Sequence, residues 1–212
     1  MNGGRLITIE GGEGAGKSTQ ATRLCAALEA RGLTVVCTRE PGGSPGAEEI
    51  RRLLVSGDPD RWDAATEVLL HFAARRDHLV NTVQPALARG DWVVSDRFAD
   101  STLAYQGHGL ELGPEPVLRT YAIAMGSFAP HLTIILDLPV DEGLERARER
   151  GGDDRYERMD RAFHQRLRDG FLEIARREPE RCAVIDARPD PDAVHREIVA
   201  VVEKRLGLEA NG

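Results

Sequence analysis

The residues Gly11-Gly12-Glu13-Gly14-Ala15-Gly16-Lys17-Ser18 fit the spacing G-x-x-x-x-G-K-[ST], an arrangement suited to holding a polyphosphate. Glycines let the backbone curl tightly enough to aim several N–H groups at one anion, and a following helix adds the positive end of its dipole. Lys17 is then placed for the β- and γ-phosphates and Ser18 for a magnesium ion. A glycine-rich turn can merely join a strand to a helix. Here, however, Gly16, Lys17 and Ser18 all match, an apolar β-branched run precedes the turn, and Ala21, Leu24, Cys25 and Leu28 follow at helical spacing. The chain therefore reads as a nucleotide binder.

Other chemistry-bearing residues cluster where strands end. Thr38-Arg39-Glu40-Pro41-Gly42-Gly43 is a charged turn, although Arg39 and Glu40 could form no more than a solvated ion pair. Asp96-Arg97 closes the run Val93-Val94-Ser95, offering an acid for a metal-bound water and a planar fork for phosphate; the alternative is that Asp96 caps the next helix and pairs with Arg97. Asp137 looks similar but is followed by Leu138-Pro139, with no cation, so a capping role is expected for it. His71 and Arg75 are four apart on one helix and share a face, while Phe72 reads equally as core or as ligand contact. Arg146, Arg148, Arg150, Arg155 and Arg158 concentrate cations around Gly151-Gly152-Asp153-Asp154, a glycine-rich stretch that reads as a lid at about 148–158. Arg146 could simply pair with Glu145 or Glu149 on a solvated helix. Arginines arriving on a closing segment are also a recurrent way to meet the charge of phosphoryl transfer.

Positioning these residues requires a sheet. Strand-like runs recur at 6–10, 33–39, 92–96, 132–138 and 182–186, separated by helical stretches at about 17–31, 47–55, 64–89, 115–127, 140–150, 160–177 and 190–205. That order predicts an α/β fold: a five-stranded parallel sheet with helices on both faces, in one domain over 1–212. In such sheets, ligands bind at the carboxyl edge.

Composition narrows the partners. A net charge of −7 argues against broad binding to nucleic acid or to an anionic membrane. No apolar stretch approaches the roughly 20 residues of a spanning helix, and the expected location is cytoplasmic. Cys25, Cys37 and Cys182 lie far apart without paired spacing and are expected to be reduced core residues.

Taken in order, the phosphate loop, the Arg39-Glu40-Pro41-Gly42-Gly43 turn, Phe72-Ala73-Ala74-Arg75, Asp96-Arg97-Phe98 with Ser101 and Ala104-Tyr105-Gln106-Gly107, and the arginine-rich stretch before Asp154-Arg155 resemble the thymidylate kinases over nearly the whole chain. The specific part is the joint occurrence of R-E-P-G-G and D-R-[FY]-x-x-S-x-x-A-Y-Q-G. Gly14, third after the loop's first glycine, makes the resemblance closest to the bacterial kind, in which the arginine acting on the transferring phosphate comes from the lid. The resemblance implies ATP-dependent phosphorylation of dTMP to dTDP on the way to dTTP, with magnesium, in a homodimer of the P-loop nucleoside monophosphate kinase fold.

Carried over by residue, Gly11, Gly12, Glu13, Gly14, Ala15, Gly16, Lys17, Ser18 and Thr19 would hold ATP, with Glu13 also facing the acceptor's 3′-hydroxyl. Arg51, Arg75 and Arg97 would bind the acceptor phosphate or base, with Ser101 beside them. Glu40 and Asp96 would organise metal-bound water with Ser18. Thr102 and Gln106 would reach the thymine, and Tyr105 would lie where a ribose 2′-hydroxyl would clash. Arg148 and Arg155 are the lid candidates. Many members carry a phenylalanine four residues before the arginine matched to Arg75. Here that position is His71 with Phe72 next to it, so either could stack on the base. Three arginines for a second phosphate favour a monophosphate kinase over a nucleoside kinase, and no Asn-Lys-x-Asp segment supports a GTP switch.

Overall fold

A computed structural model describes residues 3–58, 60–151 and 155–208. Strand β1 (Leu6–Gly11) leads through the phosphate loop into α1 (Lys17–Glu29), then β2 (Val35–Arg39), α2 (Pro45–Val55) and α3 (Ala64–His78). After a π-helical segment, Leu79–Val83, come α4 (Gln84–Ala88), β3 (Trp92–Asp96), the short α5 (Ala99–Thr102) and a second π-helical segment, Leu103–Gly109. The chain ends in α6 (Pro114–Met125), β4 (Leu132–Asp137), α7 (Val140–Glu149), α8 (Arg161–Arg177), β5 (Cys182–Asp186) and α9 (Pro191–Leu206).

The sheet is parallel throughout, in the order β2-β3-β1-β4-β5. β1 is central and wholly buried because helices cover both faces. On one face Ile7 and Ile9 meet Leu24 and Leu28 of α1 and Ile198 and Val202 of α9. On the other, Leu6 and Val93 pack with Val68, Phe72 and Leu79. Sequential strands leave β1 in opposite directions, to β3 on one side and β4 on the other. The crevice outside its carboxyl end is thus the topological switch point at which α/β sheets bind ligands.

The expected helix over 64–89 is interrupted. Pro85 has no N–H for the carbonyl four residues back, and its ring collides with that carbonyl, so the chain widens into a π segment before α4 begins. The two π segments were not legible as such in the sequence.

Two expectations are corrected, for the cysteines and for Asp137, and the open reading of Phe72 is narrowed. Cys25 and Cys37 are not separate thiols: α1 packs on β2, their Cα atoms lie 6.2 Å apart, and a disulfide joins them. Cys182 alone is free among the described residues, with burial pushing its thiol up to about 12. Asp137 caps no helix. Arg168 of α8 grips it through Nε and Nη2 at 2.7 and 2.9 Å, while α7 is preceded by Pro139, which offers no side-chain cap. Phe72 belongs to the core. It is 2% exposed, meets Tyr121 of α6 edge-on at 6.0 Å between ring centroids, and is not among the residues that line the cavity.

Arg146 donates to the Ala187 and Arg188 carbonyls and so ties α7 to the loop after β5, instead of pairing along its own helix. Of the lid stretch, Gly152, Asp153 and Asp154 lie outside the described residues.

A core Phe72 has a measurable consequence. Phe72→Ala should lower unfolding stability by about 3–5 kcal/mol in denaturant titrations, the cost of a buried aromatic cavity. A loss under about 1 kcal/mol would place Phe72 outside the core.

Candidate active site

A cavity of about 510 Å³ opens at the carboxyl ends of β1, β2 and β3. Its floor is the phosphate loop. Gly14 adopts φ +69°, and a Cβ there would fall 2.1 Å from the Gly143 carbonyl oxygen of α7, so only glycine permits the loop to close on that helix. Lys17 donates through Nζ to the Gly12 carbonyl at 2.6 Å. Burial, with Arg97 nearby, brings its ammonium down to about 8.

The pairing of β1 with β3 sets Ile9 beside Asp96 and so brings the loop against the end of β3. Ser18 Oγ donates to Asp96 Oδ2 at 2.5 Å, leaving Asp96 Oδ1 buried and unpartnered. A hydroxyl beside a carboxylate with a vacant oxygen is a hard-oxygen donor set that fits magnesium. The next residue, Arg97, has φ +70°, a costly conformation for a non-glycine residue. Its N–H is fixed by the Ile9 carbonyl at 2.9 Å, and its guanidinium turns to Glu13 at 3.2 Å and to Ser101 Oγ at 3.3 Å. The Tyr105 hydroxyl also donates to Glu13. Burial opposes the charge on Glu13, but Arg97 and Lys17, helped by that hydroxyl, outweigh it and hold the carboxyl down to about 2.

Beneath this pair lies Glu10, fully buried, accepting from the Phe98 N–H at 2.7 Å and from Ser101 Oγ at 2.5 Å. Burial and the neighbouring Asp100 raise its carboxyl well above the usual carboxylate range. Asp100 is gripped by Arg181 Nη1 and Nη2 at 2.7 and 2.8 Å, which anchors α5 below the cavity.

A third group comes from β2 and α3. Arg75 is 3% exposed, and its Nε donates to Glu40 at 2.7 Å while Nη2 reaches the Phe98 carbonyl at 3.0 Å and Thr102 Oγ1 at 3.1 Å. Its Nη1 has no partner. The other Glu40 oxygen lies 2.8 Å from His78 Nδ1, and His78 Nε2 lies 2.8 Å from Thr38 Oγ1. Both Glu40 oxygens are thus engaged in holding Arg75 and His78, and the oxygen set with the geometry for a metal is Ser18 and Asp96. His71 lines the cavity; burial first, then Arg75 and Arg97, lower its imidazole to about 3. Its ring, unlike that of Phe72, borders the cavity. Arg51 lies at the rim, donating to the Pro41 carbonyl at 2.6 Å.

The far wall joins Gln106 to the segment after α7. Gln106 Nε2 donates to Glu67 at 2.8 Å and to the Tyr156 hydroxyl at 2.9 Å, and Arg155, 1% exposed, is ion-paired to Glu67. Of the two lid candidates, Arg155 is buried beside Gln106 on Glu67 and Arg148 is exposed on α7, and neither is among the residues that line the cavity. Arg150 does line it and pairs with Glu157 at 2.7 Å.

Glu67, His78 and Tyr156 escaped the sequence reading, whereas Arg150 was read only as one of the lid's arginines. A signal existed for two of them. Glu67, His71, Arg75 and His78 recur at intervals of four, four and three, a titratable stripe down one face of α3.

A family model described as thymidylate kinase matches residues 9–198. A thymidylate kinase of Caulobacter vibrioides is 56% identical over 208 residues, covering 98% of this chain and all of that protein. One from Rhizorhabdus wittichii is 52% identical over 205 residues, covering 96% and 99%. The crystal structure of thymidylate kinase from Ehrlichia chaffeensis superposes with a TM-score of 0.78 at 33% identity, covering 94% of this chain and 99% of that one. With the phosphate loop, the Ser18–Asp96 pair and the arginine-lined wall in one cavity, these matches over nearly the full length establish that the chain belongs to the thymidylate kinase family.

Proposed function

We propose that the cavity transfers the γ-phosphoryl group of ATP to dTMP, giving ADP and dTDP. The observation that carries this reading is the continuity of one cavity from Lys17 and Ser18 to Arg75 and Gln106. An oxygen of the dTMP phosphate attacks Pγ, and the bond from Pγ to the β–γ bridging oxygen breaks with ADP as leaving group. The nucleophile is already an anion, so no side chain is needed as general base. The work of the protein is positioning and charge stabilisation.

Lys17 and the loop N–H groups hold the ATP phosphates, and Arg97 and Arg75 hold the acceptor phosphate. Ser18 and Asp96 would hold magnesium, which when bound neutralises phosphate charge. Tyr105, fixed by Glu13, stands against the acceptor's sugar, and His71 lies against its base. The lid arginine that meets the transferring group is taken to come from 148–158.

The protein is read as a cytoplasmic homodimer. Among the described residues no helix is long and apolar enough to cross a membrane. Leu69 of α3 and Leu118 and Ile123 of α6 are 62%, 51% and 88% exposed. The two helices pack together through Phe72–Tyr121 and through Arg76, which donates to the Ala124 carbonyl at 3.1 Å, so these side chains supply an apolar face for a second copy. In sedimentation equilibrium, Ile123→Glu should shift the population towards monomer; an unchanged dimer would move the interface elsewhere.

Arg75→Lys keeps a charge opposite Glu40 but loses the fork. It should raise KM for dTMP about tenfold or more and leave KM for ATP nearly unchanged in a coupled assay. An effect confined to ATP would assign Arg75 to the other ligand. Lys17→Ala should lower kcat by on the order of 10²-fold or more with the circular dichroism spectrum intact.

The lowered Lys17 gives a pH dependence of definite sign. Above about pH 8 the empty enzyme carries a neutral Lys17, and bound phosphates restore its charge, so ATP binding takes up a proton there. Below that value Lys17 is already charged and uptake vanishes. Calorimetric titrations in buffers of different ionisation enthalpy measure this, and equal uptake at pH 7 and pH 9 would contradict it.

A further inference from the structure

Gln106 is a primary amide with one donor end and one acceptor end, and which end faces a ligand decides which bases it accepts. Its surroundings leave one orientation. Gln106 Nε2 faces Glu67 Oε2 at 2.8 Å and the Tyr156 oxygen at 2.9 Å. Tyr156 spends its own proton on Glu67 Oε2 at 2.8 Å, and Arg155 Nη2 approaches the same hydroxyl at 3.3 Å, so the oxygen presents lone pairs towards Gln106. Glu67 is ion-paired to Arg155 and fully buried, which keeps it a carboxylate with only lone pairs to offer. A flipped amide would set its carbonyl oxygen against both acceptors. Gln106 Oε1 is thereby left as a buried acceptor without a partner on a residue that lines the cavity.

We infer that Glu67 is a specificity-determining positioning residue: it fixes the Gln106 amide with its oxygen free, so that the acceptor site demands a base with a ring N–H donor. Thymine carries that donor at N3, and cytosine has a lone pair at the same atom. A buried acceptor whose partner is missing is costly, which is how a site built around a hydrogen bond rejects the analogue lacking it. Arg155 and Tyr156 complete the same cluster, so the segment following α7 helps to set base choice. The inference rests on the dTMP kinase reading and deepens it.

The test compares kcat/KM for dTMP and dCMP, with ATP saturating, in the intact enzyme and in Glu67→Gln, whose amide can donate as well as accept and so frees Gln106 to flip. The wild-type enzyme should prefer dTMP strongly. If it does not, the functional reading fails before Glu67 is at issue. In Glu67→Gln the dTMP:dCMP ratio should fall about tenfold or more with KM for ATP unchanged. The exchanged pair Glu67→Gln with Gln106→Glu restores a donor facing an acceptor and again leaves an acceptor free. It should recover at least part of the preference relative to Gln106→Glu alone. Should Glu67→Gln not fold, Gln106→Leu removes the amide oxygen that Glu67 orients and should lower the ratio in the same direction. A folded Glu67→Gln, or in its place Gln106→Leu, with the wild-type ratio overturns the inference, since a merely structural Glu67 or Gln106 would change both substrates alike.

Discussion

Four carboxylates, Glu13, Glu40, Glu67 and Asp100, sit in or under the cavity away from bulk water, and each is matched to one arginine: Arg97, Arg75, Arg155 and Arg181. Taking an isolated charge out of water costs several kcal/mol, so none of the eight could remain there alone. The pairing decides the architecture of the site. Arg97 comes from the end of β3, Arg75 from α3, Arg155 from the segment after α7, and Arg181 from the residue before β5. The same ion pairs that make burial tolerable tie four separate stretches of chain to one crevice. A site for an anionic substrate has then to present cations that are already partly satisfied, and Arg75 does so through Nη1, the one guanidinium nitrogen its neighbours leave without a partner.

Such pairing also explains why an acidic chain can bind two polyanions. The net charge of −7 is spread over the surface, while the cavity gathers Lys17, Arg51, Arg75 and Arg97. Local field, not net charge, meets the phosphates. Glu13 stays ionised within that field because Arg97 and Lys17 outweigh its burial, and in turn it holds Tyr105 in place.

Much of this was legible in the sequence. All five strands announced themselves as β-branched runs because a parallel sheet covered on both faces needs apolar residues throughout. The phosphate loop and Asp96-Arg97 were visible because their chemistry is local. What stayed hidden depends on residues distant along the chain. Asp137 looked like a cap because its cation, Arg168, lies 31 positions away. Cys25 and Cys37 looked unrelated because only the packing of α1 on β2 brings them together. Phe72 and His71 are adjacent, and a one-residue rotation of about 100° on α3 sends one to the core and the other to the cavity. Glu67 carried no motif at all, and its role depends on an amide and a hydroxyl contributed by two other segments.

The stripe Glu67, His71, Arg75, His78 gives α3 the character of a ruler. Helical rise is fixed at ~1.5 Å per residue, so the eight positions from Glu67 to Arg75 span about 12 Å along the axis. One end is set by the cluster around the Gln106 amide and the other by a guanidinium fork, and the stiff rod between them fixes how far apart they stand. With Gln106 assigned to the base and Arg75 to the acceptor phosphate, as proposed, a substrate must present a ring edge and an anionic group with matching separation to satisfy both ends at once. On that assignment the length of the acceptor is gauged by backbone geometry, and inserting a single residue between the two graduations would put them on different faces of the rod.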